Sequence, residues 1–352
     1  MRKSKLIVDI LKKEDEKKYS EFVENNADST IYHTIEWKKI IEKQFNYEPY
    51  YLILKDENEE ISAVLPLFFV NNIYGKRLES ITHSAYGGAI GDENNINSLF
   101  KKVTEISKKL NCNALMIRDA THKKNSVYKD INTKNYEKWN RQVVEISDIE
   151  TMWKKQKKTN RTNIRKAMKN DIHIKKCDNK KDLIKFSDLF QKTYHRLGFP
   201  VYPHDFFLDL WDIMHPKGYI EVFLAQHNGI TVSSTLNFPF NDTVYSAYAG
   251  WDDSKKLLNA NTLLDWHTIK WCSLNNYKYF DFGLTPFDNK GLFKYKSDFN
   301  TTNIPFGYYF YPDGSHMYNN LSFSIKFGRK IMKKIPLSLN KKIGFFIYKN
   351  LL

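Results

Sequence analysis

The chain reads as one layout written twice. Residues 50–120 pattern as strand, turn, strand, turn, strand, helix, strand, and residues 218–283 repeat that order at nearly the same spacing. In the first copy, runs rich in β-branched and aromatic residues predict strands over 50–55, 61–70 and 76–82. A helical period over 95–110 and a short apolar strand over 114–119 complete it. In the second copy the strands are 219–227, 230–238 and 243–250, followed by a helix over 259–275 and a strand over 277–283. Antiparallel hairpins that feed a strand–helix–strand crossover restrict the chain to a mixed α+β class. Each copy builds a mixed, mostly antiparallel sheet flanked by helices.

At 352 residues the chain is long enough for two such domains. The expected division is a first domain over 1–150, a basic linking helix over 151–170 and a second domain over 171–318. Basic amphipathic helices over 319–352 follow.

A net charge of +15 implies an anionic partner or surface. The charge is concentrated in two stretches without a single acidic residue. Residues 153–169 carry Lys154, Lys155, Lys157, Lys158, Arg161, Arg165, Lys166 and Lys169 in a segment of helical composition. Of these, Arg161, Arg165 and Lys166 are the candidates for binding tRNA phosphates, a contact with the nucleic-acid backbone that needs no base-reading motif. Residues 314–352 carry a second basic set, with Phe323, Phe327 and Ile331 at helical spacing and Ile343, Phe346 and Ile347 beyond Pro336. Two readings of this tail stay open: a peripheral contact with an anionic membrane face, or a helix docked on its own domain with a solvated basic side.

Other chemistries are excluded. His195, His204, His215 and His227 lack the spacing of metal ligands. There is no GxSxG elbow, no GxxxxGK[ST] phosphate loop and no GxGxxG fingerprint, which argues against hydrolase, kinase and dehydrogenase mechanisms. No apolar run approaches the ~20 residues that span a bilayer. Cys112, Cys177 and Cys272 are scattered and odd in number, as expected of reduced thiols in a cytoplasmic protein.

A series of short blocks then carries a family resemblance over most of the chain. They are Tyr32-His33-Thr34-Ile35-Glu36-Trp37-Lys38-Lys39, Ser84-Ala85-Tyr86-Gly87-Gly88 and the basic block 158–167. Arg196-Leu197-Gly198-Phe199-Pro200, Asp205-Phe206-Phe207 and Tyr248-Ala249-Gly250 follow, then Asn261-Thr262-Leu263-Leu264-Asp265-Trp266. The last two are Phe280-Asp281-Phe282-Gly283 and Gly291-Leu292-Phe293-Lys294-Tyr295-Lys296. In this order the blocks resemble the Fem-type (FemABX) aminoacyltransferases, which are built from two GNAT-like acyltransferase domains. The resemblance implies transfer of an amino acid from aminoacyl-tRNA to an amine on a cell-wall peptide precursor, linked to a lipid or a nucleotide, without a cofactor.

It also implies roles. Lys39, presented by the helix that Trp37 anchors, contacts the acceptor's phosphate region. Tyr248 lines the acceptor groove, and Tyr86 and Gly87 join the substrate-binding set. Lys296, after Tyr295, sits at the reaction centre. Tyr202 and Phe206 stand where the better-understood members carry an Arg and a Tyr, and Tyr295 replaces a Phe, so the acceptor departs from the standard precursor.

Physical chemistry supplies a parallel argument. An aminoacyl ester is already activated, so the protein must hold two anionic substrates in register and stabilise a tetrahedral oxyanion. Lys296 supplies a cation for the second task, while on residue type alone it reads equally as a solvated lysine beside Lys294. Asp281 is a candidate to orient substrate or take a proton, or else a structural hydrogen-bond acceptor. A CoA-dependent acyltransferase remains the alternative, although the turn at 253–261 lacks the glycines of the usual pyrophosphate loop. A non-catalytic protein that binds tRNA or membrane is the third reading.

Overall fold

The structure is a computed structural model that describes residues 6–119, 127–128, 133–312 and 327–350. Two compact units emerge: Met1–Lys138 with Phe306–Ser324 and Lys349–Leu352, and Trp139–Pro305 with Ile325–Tyr348.

In the first unit β1 (Ile7–Ile10), β2 (Glu48–Lys55), β3 (Ile61–Asn72) and β4 (Gly75–Glu79) pair antiparallel in sequence order, with the short β5 (Ile90–Gly91) on β3. Helix α1 (Glu16–Asn25) and helix α2 (Ile35–Phe45) precede β2. Helix α3 (Glu93–Lys109) crosses over to β6 (Ala114–Ile117), which lies parallel to β4. Asp92 starts α3 by accepting the Asn95 N–H at 3.0 Å. Its buried stripe, Ile96, Leu99, Phe100, Val103 and Ile106, packs into a core with Leu52, Leu65 and Leu78 of the sheet.

The second unit repeats this plan. Strands β8 (His173–Lys176), β9 (Glu221–His227), β10 (Ile230–Phe240) and β11 (Thr243–Trp251) are antiparallel neighbours. Helix α8 (Ala260–Leu274) crosses to β12 (Tyr279–Pro286), which pairs parallel with β11. In both units the strand after the crossover takes its outer partner from a distant part of the chain. Strand β13 (Thr302–Tyr311) flanks β6, and β7 (Lys134–Glu145) flanks β12. All of the repeat strands and both crossover helices read from the sequence are present.

The basic segment divides into α4 (Ile149–Lys155) and α5 (Lys158–Lys169). Helix α5 is not a free linker. Its apolar positions Ile164 and Ala167, three apart on one face, are fully buried against Leu263, Trp266 and Phe223 in the second unit's core. The two units meet at Lys138/Trp139, within β7, and at Pro305/Phe306, within β13.

Helix α6 (Lys180–Leu197) lies on β11 so closely that a Cβ on Gly250 would stand 2.5 Å from the Phe190 nitrogen. Helix α7 (His204–Met214) follows, burying Phe206, Phe207, Leu210 and Met214. The tail, with helical residues 327–332 and helix α10 (Leu337–Asn350), docks on the second unit. Asn340 is fully buried, donating to Phe199 O at 3.0 Å and accepting from Val201 N at 3.1 Å. Arg329 donates to Leu197 O at 3.1 Å and lies 4.3 Å from the Phe199 ring centroid. Phe323 lies outside the described residues.

Candidate functional site

The site is built on a place where two parallel strands part. β12 pairs with β11 only over Tyr279, Phe280 and Asp281. Beyond that, β11 continues on β10 and β12 continues on β7. On the β7 side the register shifts between Asp281 and Leu284, leaving Phe282 and Gly283 in a bulge. Gly283 has φ +73°, in the left-handed region where a side chain would be strained. Asp281 holds this turn. It is fully buried, accepts the Gly283 N–H at 2.7 Å through one oxygen and accepts Arg141 Nε at 2.8 Å through the other. Both carboxylate oxygens of Asp281 are thereby engaged within the bulge.

Helix α9 (Lys290–Ser297) brings Lys296 to the bulge. Asn289 caps its start by accepting the Leu292 N–H at 3.2 Å. Gln142 on β7 ties its far end down, donating to Phe293 O and Ser297 Oγ at 3.1 Å each. Lys296 is 7% exposed as a residue, and its ammonium donates to Gly283 O at 3.3 Å and Leu284 O at 3.4 Å. Burial pulls its pKa from 10.5 to about 8, against the upward pull of Asp281 and Asp265. This buried position overturns the reading as a solvated lysine. Asp265 on α8 accepts the Tyr295 O–H at 2.6 Å, and burial raises its carboxyl to about 6 although that bond and the Lys296 charge oppose the rise. Burial, together with the Asp265 charge, lifts the Tyr295 phenol well above its usual range. A cation with one of its three protons unclaimed, held by backbone carbonyls beside a gap between strands, is equipped to meet an oxygen that gains negative charge.

A second cluster gathers Tyr202, Phe206 and Tyr248. Tyr202 and Phe206 stack at 4.4 Å, and Tyr248 meets both edge-on at 6.1 Å. Tyr348 of α10 stacks on the other side of Tyr202 at 4.2 Å. Tyr202 and Phe206 are buried core, while Tyr248 is half-exposed. The same holds in the first unit. Trp37 is buried edge-on to Tyr32 at 4.8 Å, and Tyr86 is buried between Tyr32 and Phe306. Gly87 packs so that a Cβ would meet Ser80 O at 2.8 Å. Trp37, Tyr86, Tyr202 and Phe206 are thus enclosed by protein on all sides. Lys39 is exposed, whereas its neighbour Lys38 is paired with Glu42 at 3.2 Å.

Along α5, Arg161 donates to Lys154 O at 2.9 Å and so caps the end of α4. Arg165 lies 5.2 Å from the Trp153 ring centroid with its charge exposed, and Lys166 is exposed. Sequence reasoning missed Arg141, Gln142 and Asp265. Asp265 falls in one of the resemblance blocks but was given no role there, and the partnerships are distant in sequence: Arg141 meets Asp281 across 140 positions and Asp265 meets Tyr295 across 30.

Comparison with known proteins bears on this arrangement. Residues 154–297 match the family model of the acetyltransferase (GNAT) domain. A crystal structure of FemX superposes with a TM-score of 0.73 at 15% identity, over 89% of this chain and 99% of that one. This chain is a tandem GNAT-fold protein. The Fem-type likeness read from the residue blocks thus holds at the level of the fold. The same tandem fold is shared with the C-terminal domain of a putative lysylphosphatidylglycerol synthetase from Agrobacterium fabrum (TM-score 0.62, 11% identity, 89% of this chain and 96% of that one). A tandem GNAT protein from the clavulanic acid biosynthesis pathway also shares it (TM-score 0.54, 7% identity, 87% and 98%). Comparison with curated proteins gives no match.

Proposed function

We propose that this tandem GNAT-fold protein transfers an aminoacyl group from tRNA to an amine on a cell-envelope precursor. The observation that carries the reading is Lys296, a buried ammonium held at the bulge where β11 and β12 part. The acceptor amine attacks the ester carbonyl, and the Lys296 ammonium stabilises the oxyanion that forms. That attack makes the C–N bond, and collapse of the oxyanion restores the carbonyl and breaks the C–O bond to the ribose. The proton lost by the amine ends on the ribose oxygen. With a pKa of about 8, Lys296 is mostly charged at neutral pH, as an oxyanion partner must be. Exposed Arg165 and Lys166 on α5 suit the donor's phosphates, and half-exposed Tyr248 suits the acceptor.

The match to the acetyltransferase domain favours a second reading, with acyl-CoA as the donor. The turn that would cradle its pyrophosphate argues against it. Residues Asp253–Leu258 form a 3₁₀ helix in which the Lys255 N–H is taken by Asp252 O and the Asn259 N–H by Lys256 O. Ser254 donates to the Asp252 carboxylate at 2.9 Å, so the turn presents an acidic side chain where an anion would bind.

Donor dependence decides between the two. Purified protein with envelope precursors, labelled amino acid, total tRNA and synthetases is expected to label a precursor, and RNase is expected to abolish it. Label that arrives only from acetyl-CoA would replace the tRNA reading with the CoA one.

A further inference from the structure

The tail of the second unit shows two unlike sides. One is an anchor: Met332 is buried, Asn340 bridges Phe199 and Val201, and Gly344 lies where a Cβ would be 2.6 Å from the Val201 nitrogen. Beyond that anchor the tail holds large apolar residues in water. Phe327 is 58% exposed, Ile331 49% and Leu339 42%. Phe327 and Ile331 are four apart in the helical residues 327–332, and the chain turns at Pro336 into α10, where Leu339 lies. Exposed Lys330, Lys334 and Lys342 are near them in sequence, and residues 327–350 contain no acidic residue. Docking on the protein thus accounts for one side of the tail and leaves a basic, apolar side in solvent.

We propose that this side is a docking surface for an anionic lipid bilayer. Aliphatic Ile331 and Leu339 distinguish it from a nucleic-acid surface, because they have no ring to stack on a base and gain only by leaving water for an apolar phase. The lysines complement the negative headgroups above that phase. Among the described residues no helix is long and apolar enough to cross a membrane, so the contact is peripheral. The same tail stacks Tyr348 on Tyr202, behind Tyr248. Lipid contact through the tail would therefore bring this aromatic wall to the surface where a lipid-linked acceptor resides. That last link rests on the proposed function, while the docking surface does not.

The test is flotation of the full-length protein with vesicles of phosphatidylcholine alone or mixed with phosphatidylglycerol, with a parallel titration against total tRNA. Binding is expected for the anionic vesicles only. Two variants, Phe327→Ser/Ile331→Ser and Lys330→Glu/Lys334→Glu/Lys342→Glu, are each expected to weaken it by about tenfold or more. Their thermal melts and elution volumes should stay unchanged, since these side chains are exposed. Equal binding to neutral vesicles, or undiminished binding by either variant, overturns the proposal. A loss confined to tRNA binding assigns the surface to RNA instead, and a changed elution volume assigns it to a second copy of the chain. No donor or acceptor is needed, so failure of the transfer reaction leaves this result standing.

Discussion

Replacing Lys296 with methionine separates the lysine's function from its energetics. Methionine fills similar space without a charge. Holding the ammonium where its pKa falls from 10.5 to about 8 opposes folding by about 3 kcal/mol at neutral pH. Against this, Lys296→Met strips hydrogen bonds from Gly283 O and Leu284 O, which are 3.3 and 3.4 Å from Nζ. Leaving such carbonyls unpaired costs about 1–2 kcal/mol. The variant is therefore expected to be more stable than the parent by about 1–2 kcal/mol at pH 7, yet to lose transfer by about 10²–10³-fold.

The pH dependence carries the sign. Between the folded pKa of about 8 and the unfolded 10.5, the unfolded chain binds a proton that the folded chain has released. The parent's stability accordingly rises through that window relative to the variant, and its disadvantage disappears as the pH approaches 10.5. Urea unfolding of both proteins from pH 7 to 10 measures this. Parallel pH profiles, or a variant less stable than the parent at pH 7, would refute the claim that Lys296 is a buried cation kept at the expense of stability.

Two further substitutions test the scaffold around that lysine. Arg141→Met leaves the fully buried Asp281 without its guanidinium at 2.8 Å and is expected to destabilise the second unit by about 3–5 kcal/mol. A urea midpoint near that of the parent would show that the pair does not hold the bulge. Gly250→Ala places a methyl 2.5 Å from the Phe190 backbone, which no rotamer relieves, and is expected to cost at least about 2 kcal/mol with proportionate loss of the α6–β11 packing. Unchanged melting of that variant would show that α6 can move away from the sheet.

Much of the architecture was legible in the sequence because it is written in local periodicity. The repeat strands and the two crossover helices α3 and α8 are set by spacings of two or of three to four residues. The candidate site was legible only in part. Lys296, Tyr295 and Asp281 fall inside recognisable blocks, but residue type could not distinguish a solvated lysine from a buried one, or a base from a strut. What settles Lys296 is the bulge at Gly283 and the carbonyls it turns toward the ammonium. What holds Asp281 is Arg141, which arrives on β7 from 140 residues away. Tyr202 and Phe206 matched substrate positions in order, yet they stack within the core because α7, β11 and α10 converge on them. The sequence by itself determined the elements, their repetition and the basic stretches, all of which depend on near neighbours. Only the tertiary structure decided burial, and through it the downward pull on the Lys296 pKa and the packing of each aromatic, because solvation is a property of everything that surrounds a group.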